Sequence, residues 1–198
     1  VLRELTALRG VSGNEAAVRD YILERIRPLA DVRIDRMGNL IAHKKGTEGA
    51  RHVVLCAHMD EVGLMVTGID DKGYLTYDTC GGIDPRVIVS KRVLVGEKAV
   101  PGVIGAKPIH LQSKSEFESV MKHDSLVIDI GAKDKDEALE KAPAGTPITF
   151  DTAFTPFGDG RILARALDNR IGCYNMLRLL TCDAHGDVDF VFTCREKI

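Results

Sequence analysis

The chain has 198 residues, with 27 Lys and Arg against 29 Asp and Glu, so its formal net charge is -2. This balance predicts no general attraction to nucleic acid or to an anionic membrane, because both favour a strong excess of basic residues. The apolar fraction of 44% and the charged fraction of 28% are typical of a globular protein, and the apolar runs have the length of strands, far short of a membrane span.

Cysteine usage and the amino end indicate the compartment. The number of cysteines is odd and no pair has C-x-x-C spacing, which favours buried free thiols in a reducing compartment over disulfides or a zinc finger. No secretory signal is visible at the amino end. We therefore expect a cytoplasmic protein. The five cysteines are Cys56, Cys80, Cys173, Cys182 and Cys194.

The first sixty residues predict helices followed by strands. After a short helix at 2–8, Ser12 and Glu15 have the spacing of a capping box for a second helix, in which Val18, Ile22 and Ile26 share one face. Strands are then predicted at 31–35, 40–43 and 51–57. The third strand is nearly continuously apolar, which is typical of a sheet covered on both faces.

From residue 63 to about 150 the pattern changes to short alternating runs divided by glycine-rich turns. These runs predict strands at 64–69, 74–77, 87–89, 93–95, 103–104, 126–130 and 148–150, with one helix at 135–141. Many short strands with close turns indicate a small barrel or sandwich. A helix from Asp168 and a strand at 187–194 then follow, so the order predicts an open sheet interrupted by an inserted domain.

Three places in this order bring reactive side chains to the carboxyl ends of strands, where open sheets bind their ligands. His58 and Asp60 follow the third strand, Asp168 opens a helix, and Glu196 follows the last strand. Because these ends meet at one edge of a sheet, we expect the four side chains to lie near one another.

Each of these residues has two readings. His58 suits a metal ligand whose second ring nitrogen is held by Asp60, or a histidine at a strand end beside a solvated aspartate. Asp168 suits a carboxylate that bridges two divalent ions, or an ordinary helix N-cap. Glu196 suits a general base, or a surface glutamate between two cationic neighbours.

Seven segments together resemble the M42 metallo-aminopeptidases, which include glutamyl, cellulase M-like and tetrahedral aminopeptidases. The segments run from the first turn to the last strand, and the ones around His58 and Asp168 are the most specific. They are GVSGNE at 10–15, DRMGNL at 35–40, AHMDEVG at 57–63, GGID at 81–84, IDIGA at 128–132, ALDNRIG at 166–172 and VFT at 191–193.

The resemblance implies an α/β fold with two domains. Residues 1–63 and 155–198 would form a zinc-peptidase-like open mixed sheet with helices on both faces. Residues 64–154 would form an inserted β-barrel-like domain that takes part in oligomer contacts, since family members assemble from dimers into dodecamers. The family supplies a further aspartate and histidine later in its sequence, so we expect the catalytic domain to continue beyond Ile198.

The resemblance also implies a reaction. The enzyme would remove N-terminal residues from short peptides with water activated by two divalent metal ions, zinc or cobalt. By position, His58 would bind one metal, Asp168 would bridge both, Asp60 would orient His58, and Glu196 would be the general base.

One position departs from the family. A second glutamate that ligates metal follows the general base in the family, whereas this chain has Lys197, and an ammonium group cannot ligate. This places the second metal site in question. Lys197 therefore leaves two alternatives open: a non-catalytic relative kept for binding or assembly, or an incomplete fragment with an impaired metal site. The cellulase label of some relatives leaves a third, a glycan hydrolase, which would need two carboxylates across a sugar ring.

Overall fold

A computed structural model of the chain describes residues 1–47 and 52–198. The described residues form two compact units, one made of Val1–Glu61 and Ala153–Ile198 and the other of Val62–Thr152. Arg51, with which we predicted the third strand to begin, lies outside the described residues. No helix in the described residues is long and apolar enough to cross a membrane.

The helices and strands have the following bounds. The helices are α1 (Leu2–Ala7), α2 (Ala16–Ile26), α3 (Lys114–Glu118), α4 (Lys135–Lys141) and α5 (Leu167–Leu180). The strands are β1 (Asp31–Ile34), β2 (Leu40–Lys44), β3 (His52–His58), β4 (Gly63–Ile69), β5 (Leu75–Cys80), β6 (Arg92–Val95), β7 (Val100–Ala106), β8 (Leu126–Asp129), β9 (Pro147–Phe150), β10 (Thr155–Phe157), β11 (Arg161–Leu163) and β12 (Asp187–Thr193).

The first unit is built on a mixed sheet with the strand order β1-β2-β12-β3. The last strand of the chain, β12, lies between β2, to which it is antiparallel, and β3, to which it is parallel. The parallel pairing aligns His52 with Asp187 at the amino end and His58 with Thr193 at the carboxyl end. The two ends of this pair of strands therefore hold different sets of side chains.

The helices of this unit pack against one face of the sheet. The apolar stripe predicted for α2, with Val18, Ile22 and Ile26, is buried in a core that α1, α5 and the alternate residues of β2, β3 and β12 share. Side chains alternate between faces along a strand, so Leu55 packs on this core while Val54 is exposed. In the described residues the expected helices on both faces are therefore found on one face only.

The second unit is a closed barrel with the strand order β4-β5-β8-β7-β6-β9, which confirms the predicted small barrel. Its apolar side chains form a separate core. The strand predicted at 87–89 is wrong, because a 3-10 turn at Pro85–Val87 occupies this stretch and the Asp84 side chain accepts a hydrogen bond from the Arg86 N–H at its start. The short helix α3 was not predicted.

The cysteines are all free, as predicted, but most are not buried. Cys173 alone among the five is buried, in the core beneath the sheet, while Cys56 and Cys182 are exposed and the other two are partly exposed. The expectation of buried thiols fails for Cys56 because this side chain alternates onto the face of β3 that carries no helix in the described residues.

Candidate active site

Three segments of the first unit meet at the carboxyl end of β3. This strand ends at His58, the first turn of α5 brings Asp168 beside it, and the turn after β12 carries Glu196. The Met59 N–H donates to the Thr193 carbonyl at 2.7 Å, which extends the pairing of β3 and β12 past the end of the strand. The parallel sheet thus brings together side chains that lie far apart in sequence.

The ring of His58 is almost fully buried and faces two carboxylates. Its Nδ1 donates to the main-chain carbonyl of Asp60 at 3.0 Å. Its Nε2 lies 3.1 Å from Oδ1 of Asp168 and 3.7 Å from Oε2 of Glu196. With the proton on Nδ1, Nε2 presents a lone pair toward two oxygens that also carry lone pairs. A divalent cation satisfies such a set of donors, as does a proton on Nε2.

Asp60 is completely buried, and it anchors the turn after β12. Its Oδ2 accepts from the Ser12 hydroxyl and, at 2.8 Å, from the Lys197 N–H. Its Oδ1 lies 3.2 Å from Nδ1 of His58 and has no hydrogen bond. Burial raises the pKa of Asp60, but the hydrogen bonds from Ser12 and from the N–H groups of Lys197 and Glu196 outweigh it and hold the pKa below its usual range.

This arrangement bears on the role expected for Asp60. The His58 ring is fixed by the hydrogen bond that its Nδ1 donates to the main-chain carbonyl of Asp60. The carboxylate of Asp60 lies 3.2 Å from the same nitrogen. The carboxylate instead binds the backbone of Lys197, next to Glu196. Asp60 thus connects the end of β3 to the turn that holds the candidate base.

The ammonium group of Lys197 lies between the two candidate carboxylates. Its Nζ is 3.0 Å from Oδ2 of Asp168 and 3.0 Å from Oε2 of Glu196. The hydrogen bond with Lys197 lowers the pKa of Asp168, and the bonds to Asp168 and Glu196 raise the pKa of Lys197. The lysine therefore supplies positive charge on the side of Asp168 that faces away from His58.

Asp168 does not act as the N-cap of α5. Its carboxylate contacts His58 and Lys197, and the capping hydrogen bond comes from Asn169, whose Oδ1 accepts from the Gly172 N–H at 3.1 Å. A Cβ on Gly172 would lie 2.2 Å from that oxygen, so glycine is required there. Because Asn169 makes the capping hydrogen bond, the side chain of Asp168 can face His58.

The capping box predicted at the start of α2 is also wrong. Glu15 occupies the N-cap position and makes no capping hydrogen bond with its side chain. The Ser12 hydroxyl donates to Asp60, and Oε1 of Glu15 accepts from the N–H groups of Gly13 at 2.9 Å and Arg195 at 2.8 Å. Both side chains support the site rather than the helix.

A buried charge network holds residues 59–61, which follow His58 in the first unit. Arg170 is fully buried and donates to the Met59 carbonyl at 2.7 Å. Oε1 of Glu61 accepts from Arg165 at 2.9 Å and from the Gly10 N–H at 3.0 Å, and it lies 3.9 Å from Arg170. A Cβ on Gly10 would lie 2.9 Å from the guanidinium of Arg170, so this close approach requires glycine.

Sequence reasoning assigned no role to Glu61 or Arg170 and the wrong one to Ser12. All three stand inside the segments GVSGNE, AHMDEVG and ALDNRIG that carry the resemblance. For Glu61 and Arg170, the available signal was a charged residue one or two positions from the candidate site residues Asp60 and Asp168. It was too weak to use, because a charged side chain beside a site is most often solvated.

The chain is similar to known aminopeptidases in sequence and in structure. The sequence profile of a family described as M42 glutamyl aminopeptidase matches residues 38–198. A lysyl aminopeptidase of Pyrococcus furiosus is 35% identical over 208 residues, which cover 100% of this chain and 59% of that protein.

Two solved structures are similar to this chain along its whole length. A TET aminopeptidase of a marine sediment archaeon, Thaumarchaeota archaeon SCGC AB-539-E09, has a TM-score of 0.92 and 30% identity, with 100% of this chain and 58% of that chain covered. The TET1 peptidase of Pyrococcus horikoshii, described as assembling into a tetrahedron or a large octahedral shell, has a TM-score of 0.87 and 38% identity, with 100% and 61% covered. The chain thus spans 58% to 61% of the length of these relatives.

Proposed function

Because the chain belongs to the M42 glutamyl aminopeptidase family, we propose that it removes N-terminal residues from short peptides at the site formed by His58, Asp168 and Glu196. The observation that carries this proposal is the convergence of Nε2 of His58 with one oxygen of each carboxylate, at 3.1 and 3.7 Å. The family consists of metal-dependent aminopeptidases, and this convergence supplies donors that suit a divalent cation.

The donors favour zinc or cobalt. Imidazole nitrogen together with carboxylate oxygen suits either ion, whereas magnesium and calcium prefer oxygen alone. The nearly buried ring of His58, held at Nδ1 by a main-chain carbonyl, is the kind of support that metal-binding histidines need. The residues of this chain therefore fit one cation, held by His58 and Asp168.

A second cation does not fit in the same way. The two-metal arrangement that the resemblance implies needs a ligand where Lys197 stands, and its ammonium lies 3.0 Å from both Asp168 and Glu196. We infer that this ammonium supplies the positive charge that a second cation would supply in the two-metal arrangement. It neutralises the outer oxygen of Asp168 and holds Glu196 in place.

The side chains then have distinct roles in hydrolysis. A bound divalent cation supplies Lewis acidity, which polarises the scissile carbonyl and lowers the pKa of water. Glu196 takes the proton from the attacking water and passes it to the departing amine. Asp60 holds the turn that carries Glu196 by accepting from the Lys197 N–H, and His58 presents Nε2 in a fixed orientation.

The second unit, residues 62–152, is proposed to contribute contacts to a homo-oligomer. The support is the likeness to the TET1 peptidase, which is described as assembling into a tetrahedron or a large octahedral shell. A small-peptide substrate, an assembly of dimers into a dodecamer and a cytoplasmic location belong to the same proposal. The domain bounds that we predict for it, 64–154, also remain part of this proposal.

One observation favours a second candidate, a relative that binds peptides without cleaving them. The ammonium of Lys197 contacts the oxygen of Glu196 that also faces His58. If this contact persists with substrate bound, the glutamate is not free to accept a proton. Turnover separates the two candidates, because a binding relative shows none with any metal.

The test is the Glu196→Gln variant, assayed on aminoacyl-arylamides with zinc or cobalt present. The proposal predicts a loss of kcat of about 100-fold or more, which is the usual contribution of a general base, and an unchanged metal content per chain. Glu24→Gln, on the exposed surface of α2, is the matched control and should keep full activity. A fully active Glu196→Gln enzyme would refute the assignment, and a wild-type protein inactive with every metal would favour the binding relative.

A further inference from the structure

A second group of metal-binding side chains lies at the opposite end of β3 and β12. It consists of His43 on β2, Asp189 on β12 and His52 on β3, and we call it the amino-end cluster. One ligand atom from each residue lies within 4.8 Å of the others. His52 and His58 are six positions apart on one strand, which places the cluster about 20 Å from the candidate active site.

The sheet itself brings these three side chains together. Asp189 pairs directly with His43 across the antiparallel ladder, and β3 lies on the other side of β12 with His52 two positions out of register. Both oxygens of the carboxylate are used: Oδ1 lies 2.8 Å from Nδ1 of His43 and Oδ2 lies 2.9 Å from Nε2 of His52. The aspartate on the central strand thus sits between two imidazoles on its neighbours.

The cation that follows His43 in sequence is engaged away from the cluster. Lys44 follows His43 in sequence, but its ammonium binds the carbonyls of Leu180 and Cys182 at 2.7 and 2.6 Å. The side chains of His43, His52 and Asp189 are 41%, 56% and 24% exposed. A cation from solvent therefore reaches the group without any change in the fold.

From this geometry we propose that His43, His52 and Asp189 bind one zinc ion that ties β2, β12 and β3 together at their solvent-facing surface. Two imidazoles and a carboxylate are a common ligand set for zinc, and the fourth position falls to water. The ion takes the place of the two hydrogen bonds between the rings and the carboxylate, and each neutral ring then carries its proton on its other nitrogen. Ligand atoms around tetrahedral zinc are about 3.4 Å apart. The three ligand atoms here lie within 4.8 Å of one another, so the widest separation closes by at most about 1.4 Å, which rotation of exposed histidine side chains allows.

The two candidate metal sites are separated experimentally by single variants. The protein is dialysed against buffered Zn²⁺, and zinc per chain is counted by elemental analysis. His52→Ala should lose one ion that Asp168→Asn retains, and Asp168→Asn should lose one ion that His52→Ala retains. The double variant should lose both. The result is independent of the proposed activity, because no substrate is involved.

Controls keep the outcome clear. His110→Ala removes an exposed histidine from the other unit and should leave the zinc content unchanged. Without zinc, His52→Ala and His43→Ala should melt at the wild-type temperature, which shows that they fold. With zinc, the wild type should melt at a higher temperature while these two variants do not respond as strongly. A zinc count in His52→Ala equal to that of the wild type, or an equal loss in His110→Ala, would overturn the proposal.

Discussion

The two ends of β3 and β12 carry histidine and carboxylate groups that are built in different ways. At the carboxyl end, His58 is nearly buried and is backed by the fully buried Asp60 and Arg170. At the amino end, His52 and Asp189 stand on the strand surfaces, with half of the imidazole open to solvent. One pair of strands therefore offers a deeply supported site and an exposed one.

The difference separates two demands on a metal site. Catalysis needs groups held in one geometry against reacting atoms, and buried hydrogen bonds provide this at the cost of desolvating charges. An ion that only joins strands needs no such support, because the pairing of the sheet already sets the positions of its ligands. We therefore expect substitutions at the carboxyl end to change stability with or without metal. Substitutions at the amino end should change ion binding, and stability only when zinc is present.

Thiol labelling should give the largest difference, between Cys56 on the exposed face of β3 and Cys173 in the core beneath the sheet. Burial raises the pKa of the Cys173 thiol to about 12, so at pH 8 it stays protonated and unreactive, whereas Cys56 is exposed. Thiolate is the reactive form, and Cys56 should react with a disulfide reagent at least about 1,000-fold faster. Mass spectrometry of digested protein checks this. Equal rates would show that the core beneath the sheet is open.

Removing the buried guanidinium should destabilise the carboxyl end strongly. In Arg170→Met, the Met59 carbonyl loses its donor and the buried Glu61 loses a neighbouring positive charge. Breaking a buried charge pair costs about 3–5 kcal/mol, measured as the free energy of unfolding in urea. Arg178→Met, on the exposed side of the same helix, should change it by less than about 0.5 kcal/mol. Similar losses in both variants would argue against the network.

Asp60 and Asp189 should show the same contrast between the two ends, with a smaller difference in the free energy of unfolding. Asp60→Asn removes the charge that accepts from Ser12 and from the Lys197 N–H, which should cost about 2–3 kcal/mol, as for hydrogen bonds to charged groups. Without metal, Asp189→Asn should cost about 1 kcal/mol or less, because the two histidines that its carboxylate contacts are largely exposed. Urea unfolding of both variants without metal measures the contrast, and equal costs would remove the distinction between the two ends.

The smallest expected change is one ion at the carboxyl end. Lys197→Glu replaces the ammonium between Asp168 and Glu196 with a carboxylate, so the site should bind one zinc ion more than the wild type. Lys197→Gln removes the charge without adding an anionic ligand and should bind no additional ion. Elemental analysis compares them. A wild-type site that already holds two ions would contradict the role inferred for Lys197.

Much of the fold could be predicted from short-range patterns. The apolar spacing of α2 and the alternating runs of the barrel reflect which side of each element is buried. This side can be identified from residues that are close together in the sequence. Asp168 and Glu196 could be predicted as neighbours of His58 because the carboxyl ends of parallel strands share one edge. The resemblance then named their chemistry.

Long-range partners could not be predicted in this way. Ser12 and Glu15 have the spacing of a capping box. In the structure the Ser12 hydroxyl instead donates to the buried carboxylate of Asp60, which is 48 positions away and cannot be found from the local pattern. The amino-end cluster could not be predicted for the same reason. Asp189 meets His43 only because β12 inserts beside β2, and nothing in the sequence fixes that order of strands.

The most direct test of the account is an anomalous difference map at the zinc absorption edge, from crystals of the protein grown with zinc. The account predicts a zinc peak between His58 and Asp168, with the Lys197 ammonium still hydrogen-bonded to the outer oxygen of Asp168. It predicts a second peak among His43, His52 and Asp189. A map with no peak beside His58 would contradict the central claim, that the carboxyl end of β3 is a metal-dependent catalytic centre.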